Sequence, residues 1–297
     1  MQNHYDIAII GGDLRQVYMA NLLLEKGAKV IVYGLCSEIL SDSICKASSL
    51  LDAVQKSDTI LGPIPLSRDQ IHINSTEPHE DLTIEHLFET LTSKHVFIAG
   101  DMSQRITKYL NENKIELHDF MKMNEVSILN SISTAEGTIL EAVKNSTINL
   151  HGSKCLILGF GKCAKILASK LKGLDASITI AARKNEDRYL AKAYGYSALA
   201  ITDLKSEIHE YDFIFNTVPA LLLDYNLLTL VNKSVTIIDI ASAPGGVNYG
   251  AANELNINAK LCLGLPGKYA PRTSAKILVD VITHFNREEF SSNQSHD

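Results

Sequence analysis

Short continuous apolar runs alternate with stripes of apolar residues at helical spacing, and glycine-containing turns separate the two, as expected of strands and helices in an α/β protein. Asp6 to Ile10 reads as a strand ending in Gly11, Gly12 and Asp13. A helix over Leu14 to Lys26 follows, with Leu14, Val17, Tyr18, Leu22 and Leu23 at helical spacing and Gly27 as its stop, and Ala28 to Tyr33 is the next strand. Short strands are expected at Thr59 to Leu61, His95 to Ala99 and Ile115 to His118, with a helix over Ser103 to Asn113. The polar stretch Arg68 to Glu85 reads as a loop, either a lid or an insertion. Residues 1–123 thus predict an α/β domain of their own.

The same plan returns with a stronger motif from Lys154 to Arg183. A strand over Cys155 to Leu158 leads through Gly159, Phe160 and Gly161 into a helix over Lys162 to Leu171, and Ser177 to Ala182 is the second strand. Gly159, Gly161 and Ala164 fit G-x-G-x-x-G/A. The first glycine permits the tight turn, the second lets the backbone approach a pyrophosphate, and the small third residue lets helix and strand pack closely. The helix start, with Lys162 and Cys163, offers N–H groups and a partial positive charge to that pyrophosphate. Residues 151–270 therefore predict a Rossmann NAD(P)-binding domain. An NAD-preferring site ends its second strand in Asp or Glu. Here Ala182, Arg183 and Lys184 stand there, and two cations without an acid predict NADP. The first domain's GGDLRQ lacks the third small residue and puts Arg15 in the first helical turn, which suits a small carboxylate better than a dinucleotide.

Between the domains, residues 124–150 predict a connecting helix and natural hinge. Ser133, Thr134, Ala135 and Glu136 are expected to open it, with Ser133 and Glu136 as a capping box. Tyr189 to Gly195 reads as a helix and Lys260 to Leu263 as the last strand. Three later strands end in Asn216, Thr217, Val218, Pro219, in Asp239 to Gly246 with Ala241 at its turn, and in Gly264, Leu265, Pro266, Gly267. Ligands in open parallel sheets bind outside the carboxyl ends of strands, so these three ends predict a floor for nicotinamide and substrate. Pro271 starts a final helix over Thr273 to Phe285; residues 271–287 are expected to pack back on the first domain, and 288–297 to form a disordered tail.

Composition narrows the function class. The chain has 297 residues, 45% hydrophobic content and a net charge of −6, which argues against nucleic-acid and anionic-membrane surfaces. No basic leader precedes the first strand and no apolar run approaches a membrane span, so a cytoplasmic protein is expected. Five cysteines and ten histidines show no metal-ligand spacing, and no metal is expected. Cys163, near a helix start, is a position where a thiol pKa can fall, although packing beside the cofactor is the stronger account of it.

Several phrases together resemble a known family, the A subunits of dipicolinate synthase from spore-forming bacteria. They are GGDLRQ (Gly11 to Gln16), NSISTAEGTI (Asn130 to Ile139), HGSKCLILGFGKCA (His151 to Ala164), AAR (Ala181 to Arg183), NTVP (Asn216 to Pro219), DIASAPGG (Asp239 to Gly246) and GLPGKYAPRTSA (Gly264 to Ala275). The resemblance implies two doubly wound parallel-sheet domains joined by a long helix. It also implies NADP-dependent oxidation of a dihydrodipicolinate-type ring to pyridine-2,6-dicarboxylate, a second flavoprotein-like subunit, and the mother-cell cytoplasm during sporulation. A homo-oligomer is expected as well.

Such a dehydrogenation needs a fixed hydride acceptor, a proton acceptor, and cations or N–H groups for two carboxylates. Asp13, Glu136 and Asp239 are the candidate bases, and Asp13 and Asp239 equally suit a helix cap and a backbone turn. Gly12, Arg15, Ser133, Thr134, Lys268 and Thr273 are the candidate substrate contacts, with Arg272 in reserve. Two other readings stay open: another NADP oxidoreductase akin to shikimate or methylenetetrahydrofolate dehydrogenase, and a non-catalytic cofactor-binding subunit.

Overall fold

The computed structural model describes residues 4–292, with side chains as far as Thr283. The chain divides into two units, one holding the residues up to 129 together with those from 270, the other residues 130–269.

The first unit is built on β1 (Ile7–Ile10), α1 (Leu14–Glu25), β2 (Val30–Tyr33), β3 (Cys45–Lys46), α2 (Leu50–Gln55), β4 (Thr59–Leu61), α3 (Ile84–Thr90), β5 (Val96–Ala99), α4 (Gln104–Glu112) and β6 (Glu116–Asp119). Its six strands are all parallel, in the order β3-β2-β1-β4-β5-β6. Every residue of β1 is buried because both faces of the sheet are covered: Ala8 and Ile10 join one apolar cluster with α2, α3 and α4, while Ile7 and Ile9 join another with α1.

Helix α5 (Asn124–Asn145) carries the chain across the division between the units. The second unit continues with β7 (Lys154–Leu158), α6 (Lys162–Gly173), β8 (Ser177–Ala182), α7 (Asn185–Ala193), β9 (Ser197–Ala200), α8 (Leu204–Glu207), β10 (Phe213–Asn216), α9 (Tyr225–Leu228), β11 (Thr236–Asp239), α10 (Tyr249–Glu254), β12 (Asn258–Leu261) and α11 (Leu265–Tyr269). Its parallel sheet runs β12-β11-β10-β7-β8-β9. Counted from each unit's own first strand, both sheets have the order 3-2-1-4-5-6, the doubly wound arrangement with a switch point beside the first strand. The chain closes with α12 (Pro271–Ser292), whose Ala275, Leu278, Val279 and Ile282 pack against Val17, Ala20 and Leu23 of α1. Among the described residues no helix is long and apolar enough to cross a membrane.

Several local expectations are corrected. The long helix opens at Asn124, not Ser133, because Val126 already buries an apolar position within its first turn, at 1% exposure. Ser133 and Glu136 therefore lie in its interior and form no capping box. The helix ends at Asn145 rather than Leu150. Strands β3 and β9 escape notice in the sequence because edge strands of two and four residues carry little apolar pattern. Helix α7 begins at Asn185, ahead of the expected Tyr189, and β12 at Asn258, ahead of the expected Lys260. Helix α12 extends to Ser292, into the expected tail; residues 293–297 lie outside the described residues.

Candidate functional site

The glycine turn after β7 is clamped on one side and open on the other. Gly159 has φ +92, and a Cβ there would meet the Thr217 hydroxyl oxygen at 2.7 Å and the Val218 side chain at 2.8 Å. Its N–H donates to the Ala181 carbonyl at 2.8 Å, while the Thr217 N–H and hydroxyl donate to the Leu158 carbonyl at 3.1 and 2.8 Å. The ends of β7, β8 and β10 are thus tied together at the switch point. Gly161, by contrast, has no atom within 4 Å of a would-be Cβ, and no side chain caps α6 behind it. Ala164 is fully buried, which lets α6 lie against its sheet. An open cradle and an uncapped helix start fit the pyrophosphate of a dinucleotide.

The corresponding turn after β1 is closed by the chain itself. A Cβ on Gly11 would stand 2.4 Å from the Asn74 carbonyl oxygen, which accepts the Gly12 N–H at 2.7 Å. Asp13 caps α1 by accepting the Arg15 N–H at 2.8 Å, and the Gln16 side-chain oxygen accepts the Asp13 N–H at 3.0 Å. Part of the expected polar loop 68–85 therefore fills the position a phosphate would take. Arg15 is also committed: it is 7% exposed, its Nε and Nη2 donate to the Asp13 carboxylate, and Nη2 donates to the Ile64 carbonyl. The side chain expected to anchor a substrate carboxylate already holds one from its own turn.

Asp239 is a correction of a different kind. It is fully buried and accepts four hydrogen bonds, from Asn216 Nδ2 at 2.8 Å, Ala241 N at 3.0 Å, Gly246 N at 2.9 Å and the Tyr249 hydroxyl at 3.0 Å. Burial and the Asp239 charge push the Tyr249 phenol well above its ordinary value. Asn216 in turn donates to the Val218 carbonyl and accepts the Val218 N–H, at 3.0 and 3.1 Å. With those four donors Asp239 fastens the turns after β10 and β11.

On α5, Glu136 is exposed and pairs with Lys170 at 2.8 Å, Ser133 is buried, and the Thr134 hydroxyl donates to the Asn130 carbonyl at 2.9 Å. Lys268 donates to the Glu141 carboxylate at 2.5 Å, and the Tyr269 hydroxyl donates to the same oxygen. Those two bonds hold the Glu141 carboxyl below its ordinary value, and the bond to Glu141 is the main cause that pushes the Lys268 amine above its own. Leu265, expected at the cofactor, is core: it is 1% exposed, and a Cβ on Gly137 would come within 3.0 Å of it. Thr273 is exposed in the first turn of α12, in the other unit.

The structure thus gathers Gly159, Phe160, Gly161, Lys162, Cys163, Asn216, Thr217, Val218, Pro219 and Ala241 at adjoining strand ends of one sheet. Ala182 ends the next strand, followed by exposed Arg183 and Lys184, whose side chains make no hydrogen bond or ion pair with any described residue. Glu141, Asn74 and Tyr249 are the organising residues that sequence reasoning missed. A buried acid in an apolar stripe, as at Glu141, was the available signal.

Cys163 is partly buried, and burial pushes its thiol up, against the weaker pull of a hydrogen bond with Thr134. The depressed pKa expected near a helix start is overridden. Iodoacetamide at neutral pH is expected to modify exposed Cys36 and Cys45 first, with Cys163 reacting slowest of the three, as peptide mass spectrometry over a time course would show.

Residues 6–121 match the family of N-terminal domains of the dipicolinate synthase A subunit, and residues 141–256 match the shikimate / quinate 5-dehydrogenase family. The A subunit of dipicolinate synthase of Bacillus subtilis is 27% identical over 281 residues, covering 93% of this chain and 94% of that protein. The crystal structure of the dipicolinate synthase A subunit from Bacillus halodurans superposes with a TM-score of 0.87 at 28% identity, covering 96% of this chain and 98% of that one. The Bacillus subtilis A-chain structure gives 0.86 at 26% identity, over 98% and 99% of the two chains. A transhydrogenase from Sinorhizobium meliloti shares the fold at 14% identity and a TM-score of 0.66, covering 94% of each chain.

Proposed function

We propose, from the similarity of this chain to the dipicolinate synthase A subunit and of its second domain to the shikimate / quinate 5-dehydrogenase family, that it oxidises a dihydrodipicolinate-type ring to pyridine-2,6-dicarboxylate with NADP. The observation that carries this reading is the contrast between the two glycine turns. One is filled by its own loop; the other is open, uncapped and followed one strand away by two exposed cations.

The cofactor, when bound, supplies the hydride acceptor. The chain's part would be to hold it: the α6 amides would take the pyrophosphate, Arg183 and Lys184 the 2′-phosphate, and the Asn216–Pro219 turn, stiffened through Asp239, would be the floor. Removing a hydride and a proton makes the ring aromatic, so positioning matters more than a strong base. Glu136 keeps an exposed carboxylate able to take that proton, its side chain being 60% exposed. Lys268, half exposed with Glu141 on one side, retains N–H groups for a substrate carboxylate, and Thr134 is the hydroxyl candidate. A second, flavoprotein-like subunit completes the assembly, as the family resemblance implies.

Arg183→Ala is expected to weaken NADPH binding by about thirtyfold while leaving NADH binding within about twofold, since a charged phosphate contact is lost and nothing else. Fluorescence titration with each nucleotide measures this, and equal losses would remove the NADP assignment. Turnover is tested by mixing protein, partner subunit, NADP and freshly made dihydrodipicolinate synthase product while following absorbance. The match to shikimate / quinate 5-dehydrogenases favours one rival, a related NADP oxidoreductase with another cyclic acid as substrate. Turnover of shikimate and not of the dihydrodipicolinate-type ring would favour it.

A further inference from the structure

Arg188 lies four residues beyond Lys184, on the first turns of α7, and neither the motif nor the comparisons assign it a role. Its Nη1 donates to the Ala182 carbonyl and to the Arg183 carbonyl, each at 2.8 Å, and its Nη2 donates to the Asn185 side-chain oxygen. One planar guanidinium thus spans the turn from the last residue of β8 to the first of α7. Lys184 sits at the cap position of α7 without a side-chain cap bond, so this guanidinium is the turn's side-chain support among the described residues.

We infer that Arg188 is a positioning residue for nucleotide choice, fixing the main chain of residues 182–185 so that Arg183 and Lys184 present their charges to the 2′-phosphate. The inference rests on the NADP reading above. Two long cations on a loose turn would lose side-chain and backbone freedom on gripping a phosphate, whereas a turn already held loses less. A planar, forked cation bridges two carbonyls and an amide oxygen in one fixed geometry. Lysine, a point charge, keeps the field but not the fork. Glu186 and Asp187 follow directly and favour the α7 N-terminus, so the turn must also keep the cations oriented apart from these acids.

The test is the NADPH to NADH affinity ratio in Arg188→Ala and Arg188→Lys, with Arg183→Ala as reference and a melting curve for each to show that it folds. Both Arg188 variants are expected to lose about tenfold in NADPH affinity and under twofold in NADH affinity. Asn185→Ala, which removes one of the three acceptors, is expected to fall between them and the unaltered chain. If Arg188→Lys binds NADPH as well as the unaltered chain, charge alone suffices and the positioning role is overturned. It is also overturned if both nucleotides weaken equally, or if neither does, while Arg183→Ala still selects against NADPH. Should Arg183→Ala show no selectivity either, the NADP reading falls, and the role of Arg188 with it.

Discussion

Asp239→Ala is expected to lower the melting temperature by on the order of 10 °C, corresponding to about 3 kcal/mol lost in the second unit. The cause is the number of donors left behind. Asn216 Nδ2, two main-chain N–H groups and the Tyr249 hydroxyl all point at this one buried carboxylate. Truncation leaves buried donors without an acceptor, which costs far more than the bonds themselves contribute when made. Asp239→Asn keeps the shape but places an amide N–H against a donor, so most of the loss should remain. Gly246 offers no relief: a Cβ there would already stand 2.2 Å from Asn216 Nδ2, so the turn cannot close over the gap by taking a larger residue. Calorimetry on the two variants measures the effect. A variant that melts like the unaltered chain yet loses turnover would return Asp239 to catalysis.

Gly161→Asp is expected to do the reverse, leaving stability unchanged or slightly raised while abolishing dinucleotide binding, on the order of a hundredfold or more. The space for a side chain exists, since nothing lies within 4 Å of the would-be Cβ, and the backbone there, φ −79 and ψ −167, is the extended conformation of a helix cap. The first unit already shows the outcome. Asp13, at φ −119 and ψ −163, caps α1 with its carboxylate, and that turn is closed to a phosphate. Copying it onto α6 would satisfy the amides proposed to hold the pyrophosphate and set a negative charge beside it. Unlike Arg183→Ala, this change should weaken NADPH and NADH alike. Thermal melts paired with nucleotide titration test it, and unimpaired binding would place the nucleotide elsewhere.

Much of the fold was legible because parallel strands buried on both faces need unbroken apolar runs, which stand out in a linear text. Strands β7 and β8 and the start of α6 fall where their residues predict them. The start of α5 did not, because Ser133 and Glu136 make a plausible cap in isolation. Only the burial of Val126 upstream shows that the helix is already under way. Edge strands β3 and β9 were silent because they are only two and four residues long.

The candidate site divides the same way. Glycine spacing and the Ala-Arg-Lys strand end are local properties, since they depend on what a backbone can do and what charge follows it. The sequence alone therefore determined two α/β halves and placed the open glycine turn on the second. It was tertiary structure that decided which polar residues are available. Asn74 closes one glycine turn from a distant loop, Arg15 faces Asp13 and Ile64, and donors from separate segments converge on Asp239. A side chain's partner is set by which strand ends the fold brings together. No linear pattern encodes whether a charged group meets solvent, a ligand or its own chain.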